Sequence, residues 1–272
     1  MSYMNLESFS RHHGVHVQQI LPMLRLSGDE VVVLGGSVVQ GHGTRNSDFD
    51  VFALVDDSKV DDVVAGFRNH HDKRANDILA LGTTTVDFQV MSLQSLADVF
   101  RDVSAIDFED PNQSLSFDRV SPHYDNETIN EVVHRLRTGI PLQNASTYDE
   151  LFALLDFDRY CRWQVRYHAN IGDNVYEDIV GVLDVGDQWT AALLAHDLLI
   201  YGGMILCFLG GRSIDRKKWT FMTLHDCPPQ LTPLHARLQD LIRADKTDAA
   251  NVRACLQLFN DIAENDTLIK DW

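Results

Sequence analysis

The 272-residue chain holds 44% hydrophobic and 23% charged residues, an ordinary balance for a folded polypeptide that excludes global disorder. Its 40 Asp and Glu against 23 Lys and Arg give a formal net charge of -17, which argues against long nucleic acids as partners because such a surface repels a phosphate backbone. The 4 cysteines, Cys161, Cys207, Cys227 and Cys255, form no C-x-x-C pair and have no zinc-ligand spacing, so free thiols in a cytoplasm are expected.

The opening SYMNLESFSRHHG has neither the basic start nor the apolar core of a leader. From Leu6 to Leu26, apolar residues at helical spacing predict an amphipathic helix, and Gly28-Asp29 marks a turn. Glu30 to Leu34 (EVVVL) reads as a buried strand stopping at Gly35-Gly36. Asp48 to Val55 (DFDVFALV) reads as a second strand, whose alternation puts Asp48 and Asp50 on one face. Helical spacing returns from Ser58 to Arg74. The segment TTTVDFQVM then alternates as a strand, with Val86, Phe88 and Val90 inward and Thr85, Asp87 and Gln89 on the other face.

Beyond Pro111 the stretch PNQSLSFDRVSPHYDN reads as a connecting loop, which puts a domain border at 120/121. The remainder reads as helices over Glu127–Thr138, Tyr148–Ala169, Trp189–Leu209 and Leu234–Glu264. The uncharged run Leu198–Leu209 is cut upstream by His196 and Asp197, so a buried helix is expected there and not a membrane span. The 12 histidines include the pairs His12-His13 and His70-His71, which lack ligand spacing and read as surface polar residues. Trp189, Trp219 and Tyr201 read as core aromatics by default.

The stretch that points to chemistry is GGSVVQGHGTRNSDFD, Gly35 to Asp50, followed 37 residues later by Asp87. Gly35 and Gly36 permit a sharp turn and the close approach of a phosphate, and Ser37 adds a hydroxyl and a backbone N–H. Three convergent aspartates repel one another unless cations are present, so the cluster implies a hard divalent ion. A hairpin turn with aspartates that merely limit edge pairing is the bland alternative. It leaves Asp87 unexplained.

An apolar strand, Gly36-Ser37, ten residues, Asp48-Phe49-Asp50 and a later strand carboxylate, Asp87, together resemble the nucleotidyltransferases of the DNA polymerase beta superfamily, in their small-substrate branch. The resemblance covers about the first 110 residues. It implies an α+β chain, with a mixed-sheet catalytic domain over 1–120 and an all-α domain over 121–272 that closes on substrate. It also implies Asp48, Asp50 and Asp87 as catalytic and metal-binding residues for Mg2+, with two ions expected. A nucleoside triphosphate, ATP above others, would be held by Gly36 and Ser37, with Gln40 and Arg45 in the loop as secondary contacts. Lys217 and Lys218, within the basic run GGRSIDRKKW, would reach its outer phosphates. A small-molecule hydroxyl is the expected acceptor. A protein or nucleotide acceptor, and a regulatory or antitoxin-like module that binds nucleotide without transfer, are the rival expectations.

Overall fold

The computed structural model describes residues 3–67, 69–71, 73–109 and 120–263. The chain divides into two compact units, Met1–Ala105 with Arg119–Asp156, and Ile106–Asp118 with Phe157–Trp272. Each matches its half of the α+β expectation, a mixed sheet in the first and helices in the second.

The first unit is a six-stranded sheet in the order β3-β4-β5-β2-β1-β6. Its strands are β1 (Val31–Gly35), β2 (Phe49–Val55), β3 (Asn69–His71), β4 (Arg74–Leu81), β5 (Thr84–Ser92) and β6 (Ile140–Gln143). Only β2 and β5 run parallel; the other neighbours are antiparallel. Parallel strands need a crossover, and here it runs through the short helix α4 (Val60–Val64) and the strands β3 and β4.

Alternation sends Val32, Leu34, Phe49, Val51, Ala53, Val55, Val86, Phe88 and Val90 to one face, where they form a continuous core with Phe9 and Ile20. Phe9 meets Phe49 edge to face at 5.2 Å, and burying each such ring is worth about 1.5–3 kcal/mol. The opposite face is covered too. Helix α5 (Leu93–Ser104) packs on β5, and α6 (Asn126–Thr138) packs on β1. Ser92 caps α5 by accepting from Ser95 N–H, and Asp125 caps α6 by accepting from Thr128 N–H at 2.7 Å, which satisfies donors that no helical carbonyl can reach.

Several local expectations change. The predicted helix over Leu6–Leu26 is two helices, α1 (Leu6–His13) and α2 (Ile20–Met23), because Gly14 ends the first in the left-handed region at φ 63°. The stretch 58–74 contains one turn of helix and then β3 and the start of β4. By contacts the two units part at 105/106, 118/119 and 156/157, and α6 and β6 belong to the sheet unit. Leu34 pairs with Ile140 and Val33 with Pro141. Most of the connecting loop read from Pro111 onward lies outside the described residues.

In the second unit α8 (Phe157–Asp184) packs along α9 (Gln188–Leu209), and α12 (Ala249–Ala263) also packs against α9. The helix expected over Tyr148–Ala169 is therefore split into α7 (Ala145–Phe152) and α8. The one over Leu234–Glu264 is split into α11 (Thr232–Arg243) and α12. Asp245 and Asp248 accept backbone N–H groups from Thr247 and Ala250 in the second break, ordinary turn and capping chemistry. Helix α9 is long and apolar enough to cross a membrane by length and composition. Its residues Ala195, Leu198, Gly202, Ile205 and Leu209 are nonetheless buried inside the unit.

His168 on α8 is buried, its Nδ1 hydrogen-bonded to Gln164 O at 2.8 Å and its ring 5.4 Å from that of Phe208. Burial, with a smaller push from Lys217, lowers its pKa to about 4 against an opposing hydrogen bond. In the unfolded chain the imidazole protonates below about 6.5. Between those values the unfolded state carries the extra proton, so stability is fully present above about 6.5 and is lost as pH falls toward 4. The loss amounts to about 3 kcal/mol over the whole window. Thermal melting from pH 7 down to about pH 4.5 should record this fall, and His168→Phe should flatten it; an equally steep profile in the variant would assign the acid sensitivity elsewhere.

Candidate active site

Strand β1 delivers the chain to Gly36, and β2 and β5 deliver Asp50 and Asp87 beside it. Gly35 pairs with Asp50, and Asp50 in turn pairs with Asp87 across the parallel ladder. All three positions therefore share one face of the sheet. Asp48 stands one residue before β2, half-buried, at the position that alternation sends to the same face.

Gly36 has φ 81°, and an added Cβ would lie 1.7 Å from Asp50 Oδ2. No other residue type fits there while Asp50 keeps its place. After Gly36 comes a single helical turn, α3 (Gly36–Val39), that carries Ser37. The loop behind it is pinned at several points. His42 N–H donates to Ser37 O at 2.7 Å, Thr44 N–H donates to Ser47 Oγ at 2.9 Å, and Thr84 Oγ1 donates to Ser47 O at 3.2 Å. His13 joins this scaffold through Arg45 O at 3.1 Å and Thr83 Oγ1 at 3.0 Å, so it tethers the loop to α1. Gln40 is half-buried at the end of α3, and Arg45 is exposed. The side chains of His70 and His71 lie outside the described residues.

Asp50 is only 7% exposed. The reason is Arg135 of α6, 1% exposed, whose Nη2 is 3.2 Å from Asp50 Oδ1. Arg135 also meets Glu131 Oε1 at 2.6 Å, and its guanidinium lies 4.9 Å from the centre of the Phe52 ring. Arg74 of β4 reaches Glu131 Oε2 at 3.1 Å, Gln89 Oε1 at 3.0 Å and Thr128 Oγ1 at 2.7 Å. Sequence reading missed Arg74, Glu131 and Arg135. The available signal was weak: an i,i+4 Glu-Arg pair on an amphipathic helix normally reads as a solvated face.

Burial raises the Asp87 carboxyl above the ordinary carboxylate range, opposed by the positive charge of Arg135 and a hydrogen bond from Gln89, and reinforced by Asp48 and Glu131. Asp87 Oδ1 is buried with no hydrogen-bond partner among the described residues. A buried orphan oxygen costs about 1–3 kcal/mol, and that cost makes Oδ1 available to a cation or a proton donor. Among the described residues no three carboxylate, imidazole or thiol groups stand ready around one point, since Asp50 Oδ1 is turned to Arg135. The chemistry of the donors still fits magnesium: hard carboxylate oxygens on adjacent strands, one of them, Asp87 Oδ1, without a hydrogen-bond partner among the described residues.

In the second unit Lys217 and Lys218 are exposed. Lys217 Nζ donates to Tyr201 Oη at 2.9 Å and lies 4.4 Å from the centre of that ring, while Lys218 lies over Trp219 at 4.7 Å. Their neighbours are engaged differently, Arg212 with Asp226 O and Arg216 with Asp215. Trp189, read as core, is 78% exposed at the start of α9, because it falls on the helix face turned from α8 and α12.

Residues 18–92, from just before α2 to the last residue of β5, match the model of the nucleotidyltransferase domain family. That span contains Gly36, Ser37, Asp48, Asp50 and Asp87. No curated protein matches the chain in sequence. Among solved structures, a nucleotidyltransferase-like protein from Exiguobacterium sibiricum is similar at a TM-score of 0.48 and 11% identity, over 97% of this chain and 77% of that one.

Proposed function

We propose that residues 18–92, which match the nucleotidyltransferase domain family, work as a nucleotidyltransferase domain of the polymerase beta superfamily, and that the chain moves AMP from ATP onto a hydroxyl of a small-molecule acceptor, releasing pyrophosphate. The observation that carries this reading is the register of the sheet, which makes Asp50 and Asp87 neighbours on parallel strands with Gly36 against Asp50.

In this reading Asp48, Asp50 and Asp87 hold Mg2+, two ions once the triphosphate is present. Bound there, magnesium supplies charge neutralisation for an in-line displacement at the alpha phosphorus. Asp87 holds its unpartnered Oδ1 where a hydroxyl proton can be accepted, and its burial makes it a stronger base than an ordinary carboxylate. Gly36 leaves the backbone bare for the beta and gamma phosphates, and Ser37 offers its N–H and hydroxyl to them. Gln40 and Arg45 flank the same loop. Lys217 and Lys218 are assigned to the outer phosphates. The net charge of -17 favours a cationic or neutral small acceptor over a polynucleotide. The four thiols, none in a disulfide, support a cytoplasmic setting.

Incubation with alpha-labelled ATP, Mg2+ and a panel of hydroxylated acceptors tests the proposal: label should move to an acceptor as pyrophosphate appears. Nucleotide binding with no pyrophosphate under any acceptor would favour a regulatory module instead. Lys217→Ala and Lys218→Ala should raise the KM for ATP by about tenfold, the worth of one charge-assisted hydrogen bond, with the melting temperature unchanged. An unaltered KM in both would remove these lysines from the site.

A further inference from the structure

Two of the four cysteines meet at the end of α9. Cys207 is buried in the last turn of that helix, and Cys227 is half-buried just beyond α10 (Thr220–Leu224). The Cys227 thiol lies 3.8 Å from Leu206 O and 3.7 Å from Thr223 O, and the Cys207 thiol lies 3.7 Å from Thr220 O. The two thiols also bond to each other, with Cys207 S–H donating to the Cys227 sulfur. Backbone contacts fix the same approach. Arg212 N–H donates to Cys207 O at 2.9 Å while its guanidinium donates to Asp226 O at 3.1 Å. A Cβ added at Gly210 would stand 2.8 Å from Cys227 Sγ, so the bare glycine lets this thiol lie against the helix end. We propose that Cys207 and Cys227 are an oxidation site, at which hydrogen peroxide converts the pair to a reversible disulfide. The proposal goes beyond the nucleotidyl-transfer reading and uses none of the residues assigned to it.

Access, acidity and partnership single out this pair. Cys161, Cys207 and Cys255 are buried, whereas Cys227 is only half-buried and can be reached. The hydrogen bond from Cys207 holds the Cys227 thiol below its ordinary pKa against the opposing effect of burial; Arg212 adds to the lowering and Asp226 opposes it. More of Cys227 is therefore the nucleophilic thiolate near neutral pH. Burial pushes Cys255 up to about 11 and raises Cys207 as well, so neither competes as the first nucleophile. In the first step the Cys227 thiolate attacks one peroxide oxygen, the O–O bond breaks, and hydroxide leaves a sulfenic acid behind. The Cys207 sulfur then bonds to the Cys227 sulfur, the S–O bond breaks, and that oxygen departs as water with the Cys207 proton. Two thiols are oxidised and one peroxide is reduced to two waters. The new bond joins the two ends of the segment that carries Lys217 and Lys218.

Each cysteine falls in its own tryptic peptide, which makes the test direct. The folded full chain is treated with a small excess of hydrogen peroxide, alkylated, and digested without reductant. Residues 167–212 should appear joined to residues 219–237, the intact chain should be lighter by two hydrogen atoms, and reductant should restore all four thiols. Cys207→Ser should stop at the sulfenic acid, so that dimedone labels Cys227. Cys227→Ser should lose its thiols to peroxide at least about tenfold more slowly than the unaltered chain. The cross-link is read on the unaltered chain, so it holds even where a variant fails to fold. The proposal would be overturned by a treated chain in which both thiols still titrate, or in which Cys227 goes on to sulfinic acid beside a free Cys207. A disulfide that joins other cysteines, or two chains, would overturn it equally.

Discussion

Asp48→Asn is expected to abolish nucleotidyl transfer, by about 10^3-fold or more on the scale of lost electrostatic stabilisation of a transition state, while the melting temperature stays within about 1 °C. Asp48 is half-buried just before β2, and among the described residues no ion pair ties it to the core, so its removal has a chemical cost and almost no packing cost. Asp50→Asn should be equally inactive and also less stable. It withdraws a charge from Arg135, which is 1% exposed, and breaking a buried pair costs about 3 kcal/mol at the low end of the usual range; Glu131 keeps the guanidinium from being wholly uncompensated. The two variants together separate metal holding from folding. Paired kinetics and denaturant melts make the check, and transfer activity in Asp48→Asn above a tenth of the original would reject the assignment.

The second large effect is expected at a residue with no side chain. Gly36→Ala places a methyl 1.7 Å from Asp50 Oδ2, 2.5 Å from its Cγ and 2.9 Å from its Cβ, at a backbone φ of 81°. The left-handed conformation alone costs a non-glycine residue about 1–2 kcal/mol. Asp50 cannot swing aside cheaply, because it is fixed in β2 and held by Arg135. The displaced carboxylate should lower kcat by about 10^2-fold or more, the usual result of moving a catalytic group by about an ångström. Gly35→Ala is the matched control: its Cβ would stand 3.4 Å from Arg135 atoms in an ordinary extended backbone, so activity should largely survive. Equal kcat in Gly36→Ala and the unaltered chain would mean that Asp50 has no fixed place in the reaction.

Much of the site was legible before any coordinates. Strand alternation is local, so DFDVFALV and VDFQV announced both their inward residues and the faces of Asp50 and Asp87. The spacing from Gly36 to Asp50 carried the family. Strands β3, β4 and β6 were not legible. RANDILAL is largely uncovered on one face and IPLQ is four residues with a proline, so neither shows the apolar period of a buried strand. Their pairing comes from the sheet edges that receive them. The helix breaks near Asp156 and Asp245 were missed because apolar spacing continues across them while turn chemistry interrupts the backbone.

By itself, then, the order of residues determined which strands form the centre of the sheet, that the C-terminal part is helical, and which face of their strands carries Asp50 and Asp87. Each of those properties depends on neighbours within a few positions. Only the tertiary structure decided that Asp50 is buried against Arg135, that Glu131 pairs with both Arg135 and Arg74, and that the sheet unit runs on to Asp156. Arg135 lies 85 residues from Asp50 in the chain. An ion pair across that separation leaves no local pattern, because its energy depends on the burial and geometry that folding creates around both partners.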